Sequence, residues 1–165
     1  MPKLFFQISF SSNQTKRIAK FLASRLFEKC SHKNALVLAL IGDLGSGKTT
    51  FIQGFARAMG VKKRITSPTF VIVKSYKSRR EVGIPTKASG LKAKSYQKIY
   101  HLDCYRIKNP KEILDLEFKK IVSNPENVVL IEWADKIKKL LPKKTIWLNF
   151  SHGDKDRERI IKIKI

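Results

Sequence analysis

The stretch Ala35–Gly60, ALVLALIGDLGSGKTTFIQGFARAMG, decides the fold. It opens on a nearly unbroken apolar run, the pattern of a strand buried on both faces. It passes through Gly42, Gly45 and Gly47 and turns apolar again at helical spacing. Phe51, Ile52, Phe55 and Met59 then share one side, and Gly60 is placed to end the helix. Three glycines in so short a turn cost backbone entropy, so the cluster needs a reason. The run Gly42-Asp43-Leu44-Gly45-Ser46-Gly47-Lys48-Thr49 has the glycine, lysine and threonine spacing of a phosphate-binding loop. Its glycines let the backbone curl and aim consecutive N–H groups into one hollow. The helix that begins there turns its positive end to the anion. Lys48 is placed to reach the β- and γ-phosphates of ATP. The Thr49 hydroxyl is placed to take one position on Mg2+, a cation that keeps most of its waters.

Such a loop needs a further acid for the metal and a means of orienting water. Two carboxylates stand where an apolar run ends: Asp103 after KIYHL and Glu132 after NVVLI. Glu132 has the more uniformly apolar strand. For Asp103 the alternative is a strand-end cap or a partner of Arg106.

Working outward, KLFFQISF (Lys3–Phe10) predicts a first strand, and Thr15–Lys29 a helix with Ile18, Phe21, Leu22 and Leu26 on its apolar side. ITSPTFVIVKSY turns at Ser67-Pro68 and becomes a strand. The segment 77–98 is polar, basic and rich in breakers, and reads as a mobile loop or hairpin tip. KIYHLDCY is a strand, Asn109-Pro110 opens a helix through KEILDLEFKKIV, NVVLIEW is a buried strand, and ADKIKKLL a short helix. KTIWLNFS and RERIIKIKI close the chain as a strand pair. This order predicts one α/β domain over 1–165, a three-layer fold with a mixed parallel and antiparallel sheet flanked by helices. His101 and Trp133 read as packing residues.

The net charge of +22, mostly from lysine, suits a partner rich in phosphate such as RNA, or equally a solvated lysine-coated surface. Cys30 and Cys104 match no metal or disulfide spacing, which fits a reduced compartment. No apolar run is long enough to cross a bilayer, and the first one is too short for a signal peptide. The expectation is a soluble cytoplasmic protein with no membrane partner.

The phosphate loop, SPTF at Ser67–Phe70, HLDCYR at His101–Arg106 and IEW at Ile131–Trp133 occur in one order, and with them the chain resembles the TsaE (YjeE) family over roughly Ser9–Phe150. The resemblance implies a compact P-loop ATPase that acts with TsaB and TsaD to form N6-threonylcarbamoyladenosine beside the anticodon of tRNAs reading codons that start with A. It places the loop on Gly42–Thr50, with Gly45, Ser46, Gly47, Lys48, Thr49 and Thr50 toward ATP. It makes Glu132 the Mg2+ ligand beside Thr49 and puts Asp103, Tyr105 and Arg106 in the family's HxDxYR segment. It casts Thr69 as a γ-phosphate sensor and sets Thr15 near the nucleotide. The segment 77–98 is longer than the family's usual connection and reads as a disordered solvated insertion or as a contact for tRNA or an acidic partner surface. A small-molecule or nucleoside kinase, with Arg79 and Arg80 on a lid, is the alternative. An RNA-binding protein that uses the loop as a nucleotide sensor is a third reading.

Overall fold

The computed structural model describes residues 4–28, 33–68, 71–78, 81–82 and 94–164. Nine strands and three α-helices run through them: β1 (Leu4–Ser9), α1 (Ser12–Glu28), β2 (Leu36–Gly42), α2 (Lys48–Ala58), β3 (Val73–Lys77), β4 (Glu81–Val82), β5 (Lys94–Ser95), β6 (Lys98–Asp103), α3 (Phe118–Ser123), β7 (Asn127–Glu132), β8 (Ile146–His152) and β9 (Arg159–Lys164). Two 3-10 helices, Pro110–Leu116 and Ala134–Leu140, flank α3 and β7.

Seven strands form one sheet in the order β1-β9-β8-β2-β7-β6-β3. The centre is parallel: β2 pairs with β7 and β8, and β6 with β7. Both sides finish antiparallel, through β3 on β6 and through β9 on β8 and β1. This is the expected mixed sheet. Strands β2 and β7 are apolar at nearly every position because each feeds two cores. Leu36, Leu38, Leu40, Val128 and Leu130 pack under α1 and α2. Val37, Ala39, Val129 and Ile131 pack with Ile113, Phe118 and Ile137 of the opposite helical layer. Period-two alternation divides each strand between the two faces.

Helix α2 is held against α1 at Gly54. A Cβ there would lie 2.6 Å from both the Cα and the carbonyl oxygen of Lys16. Phe51, Ile52, Phe55 and Met59 are fully buried, as the spacing predicts.

Three local expectations are corrected. Phe21 is 62% exposed rather than inward. The inward face of α1 is instead Ala19, Leu22, Ala23 and Leu26, and the Phe21 ring lies 5.3 Å from the Arg25 guanidinium. The stretch after Asn109 is two short helices, not one. A capping box starts the first, with Asn109 N donating to Glu112 Oε1 at 2.7 Å and Lys111 N to Asn109 Oδ1 at 3.0 Å. Glu117 at φ 55° then breaks the run. Finally, β7 ends at Glu132, because Trp133 turns left-handed at φ 55°. Within 77–98, β4 and β5 pair antiparallel, in keeping with a hairpin. Most of that segment, with Arg79 and Arg80, lies outside the described residues, as do Thr69, Phe70 and Cys30.

Candidate nucleotide-binding site

The apolar strand β2 delivers the chain to the carboxyl edge of the parallel sheet, where open α/β sheets place their ligand crevices. Gly42 has φ 135° and sits so close to β8 that a Cβ would fall 2.0 Å from the Phe150 carbonyl oxygen. Gly45 and Gly47 take φ 74° and 100°. These angles wind the loop and start α2 at Lys48, with Gly47 supplying no side-chain cap to the first-turn N–H groups.

Lys48 is 4% exposed. Its Nζ donates to the Gly42 and Asp43 carbonyls at 2.7 and 2.8 Å and lies 4.2 Å from the centre of the Trp133 ring. Such a cation–π contact is worth about 0.5–2 kcal/mol. Burial pulls the lysine pKa below its ordinary value, and Glu132, Asp103, Asp43 and Asp135 offset part of that effect.

The carboxylates arrive from neighbouring strands. Asp103 of β6 and Glu132 of β7 are register partners, each 4% exposed. The Thr49 hydroxyl lies 2.8 and 2.9 Å from the two Glu132 oxygens. His101, fully buried on β6, places Nε2 2.9 Å from Glu132 Oε1. Asp103 accepts from Tyr105 N at 2.9 Å and from the Ser67 hydroxyl. Lys48, Thr49, Asp103, Glu132 and Ser67 line a cavity of about 330 Å³ together with Gly45, Gly47, Thr50, Tyr105 and Trp133. Tyr105 and Trp133 stand 5.1 Å apart, ring centre to ring centre.

Of the residues expected to hold ATP and Mg2+, Gly45, Gly47, Lys48, Thr49, Thr50, Asp103 and Glu132 line this cavity, and Ser46 is buried 3.5 Å from Lys48 Nζ. Arg106 is exposed and is not among the lining residues. Thr15 lies behind the loop: its Cγ2 would meet a Gly47 Cβ at 3.9 Å, and its hydroxyl is 2.8 Å from that of Ser9. His101 is packed, as read, but it also holds Glu132. Trp133 packs too, and what it packs on is the loop lysine.

The sequence did not reveal the clamp from the β8–β9 hairpin. His152 Nε2 lies 3.2 Å from the Leu44 carbonyl, and Arg159 Nε donates to that of Gly45 at 3.1 Å. No local signal marks either residue, since each meets the loop from more than a hundred positions away.

The donor set fits a divalent cation beside a polyphosphate. One buried ammonium faces two buried carboxylates and a hydroxyl, so negative charge is in excess where water is scarce. These are oxygen ligands and few in number, as Mg2+ prefers.

A family model for the threonylcarbamoyl adenosine biosynthesis protein TsaE matches residues 9–161. The chain belongs to the TsaE family. The tRNA threonylcarbamoyladenosine biosynthesis protein TsaE of Bacillus subtilis is 36% identical over 146 residues, covering 88% of this chain and 77% of that one. The Haemophilus influenzae TsaE is 32% identical over 143 residues, 86% of this chain and 78% of its own. The crystal structure of Bacillus subtilis YdiB superposes with a TM-score of 0.66 at 29% identity, covering 99% of this chain and 86% of that one. Among the described residues, no helix of this TsaE family member is long and apolar enough to cross a membrane.

Proposed function

We propose that this chain is a Mg2+-dependent ATPase of the tRNA threonylcarbamoyladenosine system, working in the cytoplasm with TsaB and TsaD and cycling their complex by hydrolysis. The observation that carries this reading is the direct pairing of Thr49 with Glu132 at the mouth of the phosphate loop, with Lys48 buried beside them.

Bound ATP and Mg2+ would supply the phosphoryl group and a cation that draws charge from its oxygens. The loop backbone and the first turn of α2 present N–H groups to phosphate. Lys48 brings an ammonium held under Trp133, and Gly45, Ser46, Gly47 and Thr50 shape the wall around it. Thr49 and Glu132 are the metal-side pair. Asp103, tied to Ser67 and to the Tyr105 N–H, is the remaining carboxylate placed to orient water.

Steady-state ATP turnover by the purified chain, alone and with TsaB and TsaD, tests this. Turnover that rises with the partners and depends on Mg2+ is the expected result. Turnover indifferent to the partners but stimulated by a nucleoside or small metabolite would favour the kinase.

His101 makes a sharper prediction, as a positioning residue for Glu132. Loss of an outer partner of this kind costs about 10–100-fold. His101→Ala is expected to lower kcat by that amount with little change in KM. His101→Gln, which keeps an amide donor, recovers part of the loss. Equal loss of kcat in both variants would assign His101 to packing alone.

A further inference from the structure

A second concavity stands apart from the phosphate-loop cavity. It is a groove of about 420 Å³ between α1, the far end of α2 and the strip that follows. It shares no lining residue with the nucleotide site. Arg57 stands nine positions along α2 from Lys48, roughly 13 Å at helical rise.

The groove is lined by six cations: Lys16, Arg17 and Lys20 on one wall, and Arg57, Lys63 and Arg64 on the other. No carboxylate lines it. None of the six makes an ion pair with a described residue. Lys20 is the i+4 neighbour of Lys16 and the i+3 neighbour of Arg17, so α1 presents the three on one side.

The groove is built rather than accidental. Gly54 brings the helices into contact at its floor, where a side chain would strike the Lys16 backbone. Arg57 Nη1 donates to the Val61 and Lys62 carbonyls at 3.1 and 3.0 Å, which fixes the plane of its guanidinium. Gln53 Nε2 donates to the Ile65 carbonyl at 2.9 Å and pins the strip that carries Lys63 and Arg64. The apolar lining residues Val61 and Ile65 are 3% and 4% exposed, so the face on offer is cationic and amide-bearing. A protein partner ordinarily wants an apolar centre to its patch. A run of phosphates wants spaced cations, and arginine forks above all.

We infer that this groove binds the phosphate backbone of an RNA, and specifically the tRNA of the modification pathway. The inference rests on the family membership stated above and moves the RNA contact away from the basic segment 77–98. Neutralising three to six phosphates gives a log–log salt slope of about −2 to −5.

The test is fluorescence anisotropy of labelled tRNA with the full chain, across a salt series and without nucleotide. The triple variant Lys16→Glu, Lys20→Glu, Arg64→Glu is expected to bind at least about tenfold more weakly, with a slope shallower by about 2. The control Lys139→Glu, Lys143→Glu, Lys144→Glu makes the same change in net charge on another exposed surface. It is expected to stay within about twofold of wild type. Photocrosslinking of wild-type chain to tRNA, mapped by mass spectrometry, should mark residues 13–20 and 57–65, and guards against a misfolded variant. Equal loss in both triples would assign binding to net charge. Loss in neither, or crosslinks elsewhere, would remove RNA from the groove. Loss of poly-glutamate binding with tRNA binding intact would give the groove to an acidic protein. Each of these overturns the proposal. Because no nucleotide is present, a failure of the ATPase reading leaves this readout intact.

Discussion

Lys48→Met is expected to lower ATP turnover by at least about 10³-fold, and the wild type is expected to gain thermal stability relative to the variant as pH rises toward 10.5. The activity loss follows from the loss of a preorganised charge at the phosphoryl group. Removing a single neutral donor of that kind already costs about 10²–10³. Lys48→Arg is not expected to rescue it, because a planar fork does not fit where one compact ammonium bonds two carbonyls beneath an indole. The stability side follows from the depressed pKa, caused first by burial. A lysine whose folded pKa lies below its unfolded value of 10.5 destabilises the fold while it stays charged. Methionine keeps the stem and removes that pH-dependent cost, but it also leaves the Gly42 and Asp43 carbonyls without their donor and Glu132 and Asp103 without their cation. The wild type should therefore gain on the variant as pH rises from the folded pKa toward 10.5. Turnover and melting curves measured over that range check both halves. Retained turnover, or a midpoint difference that does not move in favour of the wild type as pH rises, would refute this account of Lys48.

Gly42→Ala is the second large effect, and it acts on the fold. The residue combines a left-handed φ with a backbone carbonyl 2.0 Å from the missing Cβ. Backbone strain of this kind costs about 1–3 kcal/mol and overpacking about as much again. The clash partner is Phe150, opposite Gly42 in the β2–β8 ladder, so it cannot swing aside like a flexible side chain. Unfolding in urea should show a loss of about 4 kcal/mol, or roughly 8–16 °C in the melting midpoint for a chain of this length. Gly45→Ala is the contrast. Its φ is also positive, but the nearest atom to its Cβ is His152 Cε1 at 3.8 Å. It should cost only the strain, about 1–3 kcal/mol. Equal destabilisation by the two would show that the close approach to β8 is unimportant.

The contrast between those glycines marks what the chain alone discloses. Periodicity and composition were enough for β2, α2, β7 and the mixed sheet, because a strand buried on both faces and a helix with one apolar side each leave a local signature. The loop spacing was enough to set Lys48 and Thr49 side by side at the start of α2, since that turn is built from consecutive residues. The carboxylates were legible as acids at the ends of apolar strands. That Glu132 bonds Thr49 and His101, whereas Asp103 bonds Ser67 and the Tyr105 N–H, was not legible in the sequence.

The misread places share one physical cause. Phe21 continues an apolar pattern yet faces outward, because the turn of α1 is set by what Ala19, Leu22, Ala23 and Leu26 bury. Glu117 and Trp133 turn left-handed although neither is glycine, a conformation that surrounding packing must sustain. The Arg159 and His152 clamp and the basic groove join segments distant in sequence, and no local pattern encodes a contact between them. The sequence by itself determined the elements and the glycine-rich turn that carries Lys48 and Thr49 into α2, since these depend on neighbours along the chain. Which carboxylate bonds the loop threonine, what braces the loop, and where six cations converge were decided only by tertiary structure, because these depend on neighbours across the sheet and between helices.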